Sequence, residues 1–437
     1  MATSIKNFLI ELYQEYLEEA SFLYEQRLTL FDDPEVTWED IHDFEERFEP
    51  HIDGLVVGEE LALNVCKTQA SEGDFGELHA AVRVFCRQNR KDLVFRVLEE
   101  LDPEDAESIQ AVRDALKHEL PEDWQDEFVR MLSKGDQKLI PILANVFGFR
   151  RLKTGTELLK VLETNPVDSL PRVIFLKYVQ HEDNSVRSAS ALALLRLGEK
   201  QMIDEWVQHA RLQNWPLIPL GLGGNRSAVN VILEKAKAGN AETDCLITIG
   251  LLGDISAIDT LLEHLTNAET GESAAMSLQI LTGADLYEDV FVPDEIDEDE
   301  LFEEELKKFK EGQVPTRLDG EPFGITITRI SQKPEDWQKW WVENKSRFNP
   351  GIRYRNGKPY SPACLLENLE SEKSSHKVRQ LAYEELVIRY GIDFPFETDM
   401  LVSQQKQTLG KYAEWIKANC SRFREGEWYF AGQLIHS

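Results

Sequence analysis

The chain has 437 residues, 42% of them hydrophobic and 9% aromatic, which is enough to fold and excludes a disordered acidic protein. Its 79 acidic residues against 48 basic ones give a formal net charge of −31. Such a field repels nucleic-acid phosphates and anionic membranes, so neither is expected as a partner, and it attracts cationic proteins.

At this length two or three structural units are expected. The five cysteines, Cys66, Cys86, Cys245, Cys364 and Cys420, are scattered and form no CxxC pair, so no zinc knuckle or disulfide framework is indicated. The N-terminal "MATSIKNFLIELYQEYLEE" lacks the pattern of a secretory signal, and no run of eighteen apolar residues occurs. A soluble, cytoplasmic protein is expected.

In chain order, Leu9, Leu12, Tyr13, Tyr16, Leu17 and Ala20 recur at helical spacing with glutamates opposite. After "TWED", where Thr37 is the expected cap, Ile41, Phe44, Phe48, Ile52 and Leu55 form a second stripe. Residues 1–60 hold 17 acids and three bases and are expected to be an acidic helical pair.

From 61 to 285 the pattern repeats. Apolar helices end at Gly148, Gly198, Gly223, Gly253 and Gly283, the last three 30 residues apart, and "LIPLGLGGNRSAVNVILEKA" parallels "LITIGLLGDISAIDTLLEHL". Each glycine is expected to take the left-handed C-cap conformation. Helix pairs at this period are the signature of an α-solenoid. Within "HEDNSVRSASALALLRLG", Ala189 and Ala193 are expected to let neighbouring helices approach, and Arg187 to reach Asp183 or a neighbouring unit. Arg379 in "SSHKVRQLAYEELVIRYG" matches Arg187. The fold class expected is therefore all-α: a solenoid of HEAT-like helix pairs with a small C-terminal helical region that contains a short hairpin.

Residues 285–305, "DLYEDVFVPDEIDEDELFEEE", carry twelve acids and no base, and self-repulsion predicts an extended or mobile linker over 286–330. The alternating "GITITRI" follows. Residues 331–437 are expected to be helical, with strand confined to the hairpin around 352–360, where Asn356-Gly357 favours a tight turn.

No catalytic signature emerges. "GLGGNR" lacks the Lys-Ser/Thr of a phosphate-binding loop, the His-Glu pairs lack the second histidine of HExxH, and the acidic run lacks the register of a calcium loop. No enzyme, metal or cofactor is expected. For partner contact the candidates are Asp294, Asp297, Asp299 and Glu300 of the acidic run, the Trp337, Trp340 and Trp341 face, and Arg353 and Arg355. The helical spacing of the tryptophans reads first as a packed face. The basic hairpin offers a dock for the acidic N-terminal helices.

"EEASFLYEQR" (18–27), "ERFEPHIDGLVVGEELAL" (46–63), "SLQILTGADL" (277–286) and "WQKWWVENKSRFNPGIRYRNGKPY" (337–360), in that order and with HEAT-like units between them, resemble an uncharacterised bacterial HEAT-repeat family often encoded near type VI secretion genes. More remotely, the D-x-x-V-R unit resembles the HEAT-like repeats of phycobilin lyases. The first resemblance implies a bacterial, cytoplasmic binding protein whose partner is a basic effector or toxin domain, or a component of the secretion machine. An immunity protein that occludes the effector is the leading expectation, an adaptor or chaperone that carries it the next. A lyase acting on a prosthetic group is the reading from another class.

Overall fold

The computed structural model describes residues 5–31, 33, 35–134, 139, 142–143, 145–146, 176, 179–182, 184–238, 241–293, 303–310, 316, 322–392 and 394–435. These are mostly helical, and no helix among them is long and apolar enough to cross a membrane.

The periodic N-terminal stripe becomes helix Ile5–Leu30, which buries Leu17, Ala20, Leu23 and Tyr24 against helices His42–Val57 and Phe75–Arg87. Thr37 does not cap the second helix directly. Its N–H and hydroxyl both donate to Asp40 in a turn, and the helix begins at His42. Asp74 and Glu77 form a capping box at the start of Phe75–Arg87. The first core extends from Leu17 to Val146, across the boundary expected near residue 60.

A second core begins at Val179. Helices Asn184–Arg196, Leu217–Gly223, Thr243–Leu252 and Gly271–Thr282 form one row, each packed on the next, and Ile203–His209, Arg226–Lys237 and Ile258–His264 form another beside it. The close approaches within the first row differ from those expected. Ala189 is exposed and Ala193 half-buried, because the face that packs is Ser190, Ala191, Leu194 and Leu195. The backbones instead approach at Gly221, which faces Thr248 and Leu251, and at Gly250, which faces Ser277. Gly198, Gly253 and Gly283 adopt φ of +82°, +68° and +56°, the left-handed region that favours glycine. Gly223 does not: it remains helical against Leu195. Gly148 lies outside the described residues.

Strand is not confined to the expected hairpin. β1 (Tyr287–Pro293) pairs antiparallel with β2 (Gly324–Ile330), so the front of the acidic stretch is a ribbon. Its Tyr, Val, Phe and Val side chains favour a strand, and the density of acids around them hid that preference. Two further pairs follow: β3 (Tyr354–Arg355) with β4 (Lys358–Pro359), and β5 (Tyr429–Phe430) with β6 (Gln433–Leu434).

The last two pairs are copies of one module, 75 residues apart. Trp340, Asn344, Ser346, Arg347, Phe348, Gly351, Tyr354 and Gly357 recur as Trp415, Asn419, Ser421, Arg422, Phe423, Gly426, Tyr429 and Gly432. The hydrogen bonds recur with them. Asn344 donates to the Trp340 carbonyl at 2.9 Å and Asn419 to that of Trp415 at 2.8 Å. The tyrosine hydroxyl accepts from the Asn349 N–H at 2.6 Å in one copy and from the Arg424 N–H at 2.7 Å in the other. Each hairpin turn, Asn356-Gly357 or Ala431-Gly432, has two positive φ angles and donates its N–H groups to the last carbonyls of a helix. The first caps Ile280 and Leu281 of Gly271–Thr282, the second Ile388 and Arg389 of His376–Tyr390. Both helices end in a left-handed glycine, Gly283 and Gly391.

Candidate functional site

The sequence-selected residues do not converge on one open surface. Trp337 is buried and donates its indole N–H to the Ser331 carbonyl at 2.7 Å, while Trp340 and Trp341 are half-buried against Phe348. Arg353 and Arg355, expected at a partner surface or against the N-terminal helices, are each 1% exposed. Asp183, Asp294, Asp297, Asp299 and Glu300 lie outside the described residues. Arg187 bonds the His181 carbonyl across its turn and reaches Gln213 of the next unit at 3.3 Å. Its sequence counterpart Arg379 is fully buried, donates to the Leu369 carbonyl and Gln405, and lies over Trp38.

Arg353 and Arg355 belong to a buried array centred on Glu385. One carboxylate oxygen accepts from Arg353 at 2.7 Å and from the Tyr360 hydroxyl at 2.8 Å, and the other from Arg355 at 2.6 Å. Arg353 also donates to the Leu251 and Leu252 carbonyls, at the C-terminal end of helix Thr243–Leu252. Arg389 does the same for the neighbouring helix, reaching Gly221 at 3.1 Å and Gly224 at 2.5 Å. Arg353 stacks between Tyr360 and Trp428.

Two guanidiniums thus share one carboxylate in the interior, and a third, that of Arg389, is held by backbone carbonyls. The partial negative charge at helix C-termini and the aromatic faces offset the remaining positive charge. Burial and the neighbouring Arg353 lower the Arg389 pKa to about 9. Because the first hairpin caps the next helix in the same row, this array joins the ends of three successive helices to His376–Tyr390. Sequence reasoning missed Glu385 and Arg389, although a signal exists: both occupy the stripe Val378, Leu381, Ala382, Glu385, Leu386, Arg389 that faces the core.

A second buried cluster joins the N-terminal helices to residues 397–402. Lys117 pairs with Asp399 at 3.1 Å, and Arg27 donates to the Asp399 and Met400 carbonyls. Glu45 pairs with Arg27 and accepts from the Val402 N–H at 2.6 Å. Tyr24 donates to Asp114. Burial pushes the Glu397 carboxyl up to about 7, since Asp399 and Glu384 oppose the help from Lys117 and Arg196. Burial acts on Asp399 in the same sense, but Lys117, His118 and Arg27 prevail and hold it well below the usual carboxylate range. Burial lowers His118 to about 3.

Divergent carboxyl pKa values are one mark of acid–base sites. Here the groups lie between packed elements: Arg27 with Glu45, Tyr24 with Asp114 and Lys117 with Asp399 each tie one segment to another. Among the described residues no group of three or more His, Cys, Asp or Glu side chains is placed to hold a metal ion.

Comparison with protein-family models, with curated proteins and with solved structures finds no match to this chain.

Proposed function

We propose that the chain is a non-enzymatic, protein-binding α-solenoid that recognises a basic polypeptide, and that it acts as a cytoplasmic immunity protein occluding a type VI secretion effector. The observation that supports this reading is where the charge lies. Among the described residues seven bases are buried (Arg27, Arg83, Lys117, Arg353, Arg355, Arg379 and Arg389) against six acids (Glu45, Glu77, Asp114, Glu384, Glu385 and Glu397). Among the described residues the core therefore consumes none of the acidic excess, since it buries one base more than acids. Paired rows of helices suit a broad recognition face, and surface charge accelerates the encounter with an oppositely charged partner.

The resemblance to a family encoded near secretion genes supplies the candidate partner: the product of the adjacent gene. Co-expression tests the reading. The effector is expected to be toxic alone and harmless with this chain. Association is expected to slow markedly as salt rises to 0.15 M, where the screening length is about 8 Å. Binding without protection would replace immunity by the adaptor role, and no binding would remove both.

A further inference from the structure

Three cores meet at residues 397–402. Phe396, Met400 and Val402 pack in a third core, together with Trp38, Ile41 and helix His376–Tyr390. Lys117 reaches the segment from helix Ala106–Glu119 of the first core, and Arg196 faces it from helix Asn184–Arg196 of the second. A buried irregular segment must satisfy its backbone groups through side chains. Arg27 donates to the Asp399 and Met400 carbonyls, Gln405 to those of Thr398 and Met400, and the Val402 N–H donates to Glu45.

The charges around the segment come in pairs. Arg27 holds Glu45 at 2.8 Å, Arg113 holds Asp114 at 3.3 Å, Lys117 holds Asp399 at 3.1 Å, and Arg196 holds Glu384 at 2.7 Å. Among the described residues Glu397 is the exception. It is buried with Lys117, Arg196, Glu384 and Asp399 around it, a further acid facing two cations that already carry carboxylates. His118, which faces Asp399, supplies no cation at neutral pH, because burial lowers it to about 3.

A protonated Glu397 leaves this balance intact. Once ionised, it adds a negative charge beside Asp399 and Glu384, where burial limits screening. We propose that Glu397 makes the junction a pH-sensitive latch: residues 397–402 grip the first core while the carboxyl is protonated and open from it more readily once it ionises. The sign follows from burial, which pushes the carboxyl up to about 7 in the closed state. In the open state it ionises near the ordinary glutamate value of about 4.3, so the closed state loses its advantage as pH climbs from there through 7.

Hydrogen exchange of the full chain at pH 6 and pH 8, converted to protection factors, reads the opening of single segments. The Val402 amide, which donates across the junction, is the reporter, and helix Thr243–Leu252 in the second core is the reference. In wild type, protection at Val402 is expected to fall about tenfold between the two pH values, the ratio that linkage gives for the closed and open carboxyls. The reference helix is expected to keep its protection. Glu397→Gln, neutral at both pH values, is expected to abolish the fall, whereas Glu367→Gln, altered in an exposed pair, is expected to preserve it. Two histidines lie nearby, His42 beside Glu45 and His376 bonded to Thr398 at 3.0 Å, and Glu397→Gln separates their effect from that of the carboxyl.

Constant protection at Val402 in wild type overturns the proposal, as does a fall that persists in Glu397→Gln. An equal fall in the reference helix also overturns it, because the whole fold and not the junction would then be opening.

Discussion

Substituting Glu385 by glutamine removes one charge from the array that holds the C-terminal module to the helix rows. The side chain is completely buried and accepts from Arg353, Arg355 and Tyr360 at 2.6 to 2.8 Å. Breaking a buried pair costs about 3 to 5 kcal/mol, because the surviving charge is left uncompensated. Glutamine keeps one acceptor, so one guanidinium retains a neutral partner while the other faces an amide N–H. An additional unsatisfied buried donor costs about 1 to 3 kcal/mol. The expected loss is therefore about 4 kcal/mol or more.

Urea unfolding followed by tryptophan fluorescence measures it, with Trp428 stacked on Arg353 as the local reporter. Glu367→Gln is the control. That residue makes an exposed pair with Lys358 and is expected to cost no more than about 1 kcal/mol. Adding Arg355→Gln to Glu385→Gln is expected to recover part of the loss by removing an unpaired cation. If Glu385→Gln costs no more than Glu367→Gln, the array does not hold the module and the account of the buried arginines is wrong.

Glu397 makes stability depend on pH. Its folded pKa, about 7, lies above that of an unfolded glutamate, so its contribution is present at pH 4.5 and lost as pH rises through 7. Relative to wild type, Glu397→Gln is expected to gain on the order of 2 kcal/mol between pH 5 and pH 8 in denaturant titrations; a pH-independent difference would mean that the carboxyl is ionised throughout. Glycine replacements separate backbone strain from crowding at the two module turns. Gly357 and Gly432 have φ of +70° and +74°, but a Cβ at Gly357 would run into the Thr282 carbonyl oxygen, whereas at Gly432 the nearest atom, the Tyr390 oxygen, is 3.2 Å away. Both alanine variants are expected to be destabilised by about 1 kcal/mol for the left-handed conformation, and Gly357→Ala by more; equal melting points would show that the turn relaxes away from its helix.

The local elements were legible in the amino-acid sequence because they depend on short-range chemistry. Apolar residues at helical spacing placed the helices, Gly253 and Gly283 marked helix ends, and Asn356-Gly357 marked a turn. The module copied at 75 residues was legible too, as two "SRF" segments each preceded by an aromatic helix and followed by spaced Gly, Tyr and Gly. It escaped notice because an insertion and divergent strand residues interrupt the likeness.

Tertiary structure alone decided where the charges went. Arg353 and Arg355 read as surface cations, since no local pattern announces that a glutamate 30 residues further on, and helix carbonyls a hundred residues earlier, will receive them. The strand character of Tyr287–Pro293 was likewise submerged: a twelve-acid run predicts repulsion along the chain, and only a partner strand 37 residues away supplies the pairing that outweighs it. Periodicity is a property of neighbours in sequence, whereas the compensation of a buried charge is a property of neighbours in space.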